Sequence, residues 1–63
     1  MALSDNIKKL REEKNLTQQQ LADQLYVSRQ TICRWENGSR CPDLIMAKKL
    51  ALELGVSMDE LVS

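Results

Sequence analysis

Arg29, Cys33 and Asn37 lie four residues apart, as do Gln30 and Arg34, the spacing at which helical side chains share a side. A helix turns about 100° per residue, so with Arg29 at 0° the others fall near 40° (Cys33), 80° (Asn37), 100° (Gln30) and 140° (Arg34). Thr31, Trp35 and Ile32 fall near 200°, 240° and 300°, which makes Ile32 and Trp35 the dry side, with Thr31 flanking it. The chemistry of the wet side is hydrogen-bond donation. A forked guanidinium matches guanine O6 and N7, a carboxamide matches adenine N6 and N7, and a small side chain such as Cys33 can meet a thymine methyl. The plain alternative is a solvated outer face. The two readings differ in the frame that holds the helix.

That frame is legible from caps and periodicity, which give about five short helices and no strand: an all-α domain. Ser4 is the expected cap of the first helix, with Ile7 and Leu10 on its inner face and Lys8, Lys9, Arg11, Glu12 and Glu13 mostly outward; it should fade near Asn15. Thr17 opens a Thr-x-x-Gln capping box, and Leu21, Ala22 and Leu25 form the inner stripe of the second helix. Ser28 caps again after only Tyr26 and Val27, so the second and third helices meet through a sharp turn. Gly38 stops the third helix near Asn37. Pro42 and Asp43 introduce a fourth helix, with Leu44, Ala47, Leu50, Ala51 and Leu54 inward and Gly55 as its stop. Ser57 opens a second capping box, Ser-x-x-Glu, for a short last helix bearing Met58, Leu61 and Val62.

Length and composition narrow the function. A chain of 63 residues makes one small domain with a thin core and no room for a deep substrate pocket. With no histidine and no nucleophile paired to a base, an enzyme is not expected. Cys33 and Cys41 fit neither a zinc site nor a CxxC redox pair, so no metal and no cofactor are expected. The formal charge is zero, but all nine bases and six of the nine acids fall in residues 1–49, leaving a weakly basic body and an acidic end. Neither a secretory signal nor a membrane-length apolar run is present, so the expected location is cytoplasmic with reduced thiols and no membrane partner.

The stretch LTQQQLADQLYVSRQTICRWENG, flanked by IKKLREEKNL and LALELGVSMDEL, resembles the phage-repressor and Cro-like (XRE) helix-turn-helix family over nearly the whole chain. The resemblance implies a compact five-helix, lambda-repressor-like DNA-binding domain over residues 1–63, with the helix-turn-helix at 17–37 and the recognition helix at 28–37. It implies base reading by Ser28, Arg29, Gln30 and Arg34, beside Cys33, and phosphate contacts from Thr17, Gln18, Asn37 and Arg40. It also implies a partly buried ion pair between Arg11 and Glu36. The function implied is a transcriptional regulator, read here as a repressor, that binds a near-palindromic double-stranded operator as a homodimer and excludes or recruits RNA polymerase. Half-sites would lie about 34 Å apart. Met58, Leu61 and Val62, helped by the loop at 39–43, are the expected dimer surface; the alternative is that they only close the monomer core. The competing function is a protein-interaction module of the same fold, such as part of an antitoxin or anti-repressor pair. Since the chain stops at Ser63, no sensor domain is expected. Cys33 is read as a tolerated small residue, with a redox-sensitive thiol as the alternative. One position departs from the family pattern: Tyr26 occupies a turn site where glycine is common.

Overall fold

The computed structural model describes residues 2–63, and its helices are α1 Ala2–Glu13, α2 Gln18–Leu25, α3 Arg29–Asn37, α4 Leu44–Leu54 and α5 Met58–Val62. Each start from α2 onward follows from a side chain that takes up an orphan amide. Thr17 Oγ1 accepts from Gln20 N at 3.0 Å while Gln20 Oε1 accepts from Thr17 N at 2.8 Å, closing the first capping box. Ser28 Oγ accepts from Thr31 N at 3.2 Å, and Asp43 Oδ1 from Met46 N at 2.8 Å. Ser57 and Glu60 close the second box at 3.1 and 3.0 Å.

Three expectations need correction. α1 already begins at Ala2, so Ser4 lies within its first turn, and its side chain is buried instead of capping the helix. A small residue is suited to that spot, where α1 approaches Gly38 at the end of α3. Leu44 is 66% exposed although it shares the angular stripe of Ala47 and Ala51. Periodicity gives the direction of a side chain, and nothing covers this first turn, whose neighbour Ile45 is equally exposed. Leu61 is wholly buried, which removes it from any dimer surface and makes it the plug that α5 sets into the core.

The core is assembled from Ile7, Leu21, Ile32, Leu50, Leu54 and Leu61, all nearly inaccessible, with Trp35 at its edge. α1 packs on α3, α4 and α5, and α2 packs on α3 and α4. Asn6 fastens α5 to α1 by donating from Nδ2 to the carbonyl of Leu61 at 2.9 Å, an unpaired acceptor at a helix end.

The bend between α2 and α3 is made by Tyr26 in the left-handed conformation, at φ 59° and ψ 40°. Its amide donates to Asp23 O, and the next amide, Val27 N, donates to Ala22 O at 3.0 Å, so two end carbonyls of α2 are satisfied. An L side chain in this region costs about 1–2 kcal/mol, and Tyr26, 95% exposed, recovers almost none of that by packing. Tyr26→Gly should therefore stabilise the fold by about 0.5–1 kcal/mol after allowing for the freer unfolded chain. In a domain of this size that is a rise of several degrees in Tm, readable by circular dichroism. A lower Tm would show that the ring makes a stabilising contact.

Candidate nucleic-acid interface

The end of α3 is held by a polar knot. Arg11, from the last turn of α1, donates from Nε to Glu36 Oε2 at 2.6 Å and from Nη2 to Oε1 at 3.1 Å, a bidentate pair. Its Nη1 donates to Leu16 O at 2.7 Å, which ties in the connection between α1 and α2. Gln18, in the first turn of α2, adds Nε2 to Glu36 Oε1 at 3.1 Å. The side chains of Arg11 and Glu36 are only 11% and 4% exposed, so solvent screens the pair little. Hydrogen bonding to Glu36 raises the Arg11 pKa above its ordinary value against the opposing pull of burial. One carboxylate thus fixes α1, the start of α2 and the end of α3 relative to one another.

On this frame α3 turns Ile32 and Trp35 into the core and presents Ser28, Arg29, Gln30 and Arg34 to solvent, with Cys33 half-buried among them. Neither Arg29 nor Arg34 has an ion pair or side-chain hydrogen bond among the described residues, so both guanidinium forks are available to a ligand. Ser28 Oγ is engaged with the Thr31 amide and lies 2.9 Å from Thr31 Oγ1, which places its first duty in capping. Gln18 is half-buried against Glu36 and keeps one amide hydrogen for an outside acceptor. Asn37 Oδ1 accepts from Ser39 N at 2.9 Å, leaving its NH₂ free to donate. Thr17 holds the capping box, and Arg40 stands exposed in the loop after α3.

The helix-turn-helix family model matches residues 7–61, from the first core isoleucine to the buried leucine of α5. The chain belongs to the helix-turn-helix family, of the XRE type. It is similar to the HTH-type transcriptional activator BcrR of Enterococcus faecalis, 44% identical over 63 residues that make up 100% of this chain and 31% of that protein. It is similar also to the cryptic phage CTXphi transcriptional repressor RstR of Vibrio cholerae, 38% identical over 60 residues, 95% of this chain and 54% of that protein. A third relative, the uncharacterized HTH-type transcriptional regulator MJ0272 of Methanocaldococcus jannaschii, is 41% identical over 59 residues, 94% of this chain and 89% of its own length. The chain therefore spans between about a third and about half of the first two.

In this helix-turn-helix chain the two cysteines are free thiols, Cys33 half-buried on α3 and Cys41 exposed in the following loop. No group of metal-ligating side chains occurs among the described residues, and no described helix is long and apolar enough to cross a membrane. Of the expected dimer residues, Met58 is half-buried against the core and Val62 is half-exposed. Sequence reasoning missed the bond of Gln18 to Glu36 and the clip from Asn6 to α5. Both join residues distant in sequence through a polar group that no periodic pattern marks. The signal available for Gln18 was its place one residue after a cap, where a side chain can turn toward a neighbouring helix end.

Proposed function

We propose that this chain is a single helix-turn-helix unit that binds double-stranded DNA and regulates transcription, with α3 laid in the major groove. The observation that carries the reading is the pair Arg29 and Gln30, exposed and at the start of α3, on a helix whose other end is locked by Glu36. Rigid presentation matters because base discrimination requires donors held at fixed positions before contact. Ser28, Arg29, Gln30 and Cys33 face the base edges, and Arg34 stands at the margin of that face. Gln18, with the free amides at the start of α2, takes a phosphate, and Thr17 adds its hydroxyl there. Asn37, the last residue of α3, and Arg40, in the loop after it, hold the backbone beyond the base-reading stretch.

A single domain of this size reaches few bases, so the operator is proposed as a near-palindrome bound by a homodimer through Met58 and Val62 of α5. The mode is that of a repressor, occupancy that excludes RNA polymerase. Among the relatives one is named an activator and another a repressor, which accords with occupancy whose sign depends on where the operator lies.

Selection of sites from a random duplex pool at moderate salt, followed by sequencing, tests the proposal. The expected product is an enriched near-palindrome with half-sites about one helical turn apart, bound with an affinity that falls linearly on a log scale with salt. Folded protein that enriches nothing would instead support a protein-interaction module of the same fold.

A further inference from the structure

We infer that Arg34, Trp35 and Arg40 form a cradle for one backbone phosphate of the bound DNA, so that Arg34 grips the backbone and does not read a base. The inference rests on the DNA-binding function proposed above.

Thr31, Arg34, Trp35, Arg40 and Cys41 line an open cavity of about 340 Å³. It exists because the loop folds back over the end of α3. Gly38 turns the chain at φ 81°, after which Arg40 N donates to Arg34 O at 3.3 Å and Ser39 Oγ to the same carbonyl at 3.5 Å. The two arginines, six positions apart in sequence, are thereby set beside one cavity, and no carboxylate lines it. The Thr31 hydroxyl is already engaged with Ser28.

Trp35 adds a third donor-bearing side chain to the lining. Its side chain is 5% exposed and has no hydrogen bond among the described residues, yet no buried side-chain nitrogen or oxygen there is left unpartnered. The indole nitrogen must therefore reach the surface. Trp35 lines this cavity and also a smaller one that shares Arg40 and Cys41 with it. That N–H stands at the surface with no acceptor among the described residues, so a ligand oxygen can take the place of water on it.

The donor set identifies the ligand. Guanidinium and indole groups donate only, and two positive charges converge with them. A phosphodiester presents acceptor oxygens and a negative charge, whereas the major-groove edge of every base pair is uncharged and carries a donor beside its acceptors. The position agrees. Arg34, Thr31 and Trp35 occupy the arc from about 140° to 240° on α3, while Glu36, which holds Gln18, lies near 340°. The base-facing arc of Arg29, Cys33 and Gln30 lies between these margins. A helix in the major groove has a phosphate strand on either side, so Gln18 meets one strand and the cradle meets the other.

The test compares Arg34→Gln, Arg40→Gln and Trp35→Phe on the selected operator and on an unrelated duplex, over a series of salt concentrations. The expected result for each arginine variant is an equal fold-loss on both duplexes, with the salt slope reduced by about one. Trp35→Phe should weaken both duplexes equally with the slope unchanged. An Arg34→Gln protein that loses preference at one base pair while keeping the wild-type slope would overturn the cradle and return Arg34 to base reading. Arg34 and Arg40 are exposed, so their variants carry the test even if replacement of the sole tryptophan harms folding. Failure of the underlying reading would show separately, as wild-type protein without salt-dependent duplex binding, and would overturn both.

Discussion

Arg11→Met, with Glu36 left in place, should lower the stability of the fold by about 3–5 kcal/mol, the usual consequence of leaving one member of a buried ion pair without its partner. Domains of this size have roughly 3–9 kcal/mol in total, so the variant should be largely unfolded at temperatures where the parent is native. The reason lies in the accounting at Glu36, whose side chain is 4% exposed. After the substitution its carboxylate retains one donor, Gln18 Nε2, where it previously had three. A second effect adds to this, because the Leu16 carbonyl loses the Arg11 Nη1 that fixes the connection into α2. The double variant Arg11→Met, Glu36→Gln should melt above the single one, since a neutral amide is less costly to bury than an unpaired carboxylate. Thermal melts of the parent, the two single variants and the double variant measure the coupling. An unchanged melt for Arg11→Met would show that the pair contributes nothing.

The pH behaviour of this knot follows from the sign of the shift. The folded pKa of Arg11 is raised, so its contribution is fully present below the unfolded guanidinium value and fades only above it. Stability from Arg11 should be flat across the neutral range, and titration between pH 6 and pH 9, values of ordinary buffers on the order of neutrality, should leave its contribution intact.

Local chemistry explains which parts of this fold could be read from the chain alone. The capping motifs at Thr17, Ser28, Asp43 and Ser57 each close within three residues, so sequence carries them completely. The inner stripes of α2 and α3 followed from the 3.6-residue period for the same reason. What failed depended on a partner elsewhere in the chain. Ser4 has the residue type of a cap but lies within α1, where contact with the end of α3 buries it. Leu44 and Leu61 are both apolar residues on short helical stripes, yet one is two-thirds exposed and the other wholly buried. The difference is whether another helix covers that turn, which the period does not encode. On the interface, sequence placed the guanidinium and amide groups on one arc, but not the loop that brings Arg40 beside Arg34.

Arg29→Ala should leave stability nearly unchanged and remove preference at one base pair in each half-site, by about 1–3 kcal/mol, or roughly five- to 150-fold. Stability is spared because the Arg29 side chain is exposed and unpartnered among the described residues, so any change in binding reports on contact with DNA. Gln18→Ala provides the contrast. It should weaken operator and unrelated duplexes alike, since a phosphate has the same oxygens beside every base, and it should leave the salt slope unchanged because no charge is removed. Competition binding of the selected operator against its single-base-pair variants separates the two. If Arg29→Ala keeps the parent's preference at every position, α3 does not read bases from its first turn, and specificity would have to come from the shape and deformability of the duplex. The two variants together therefore distinguish a helix that reads from a scaffold that only holds, which is the distinction on which the proposed function stands.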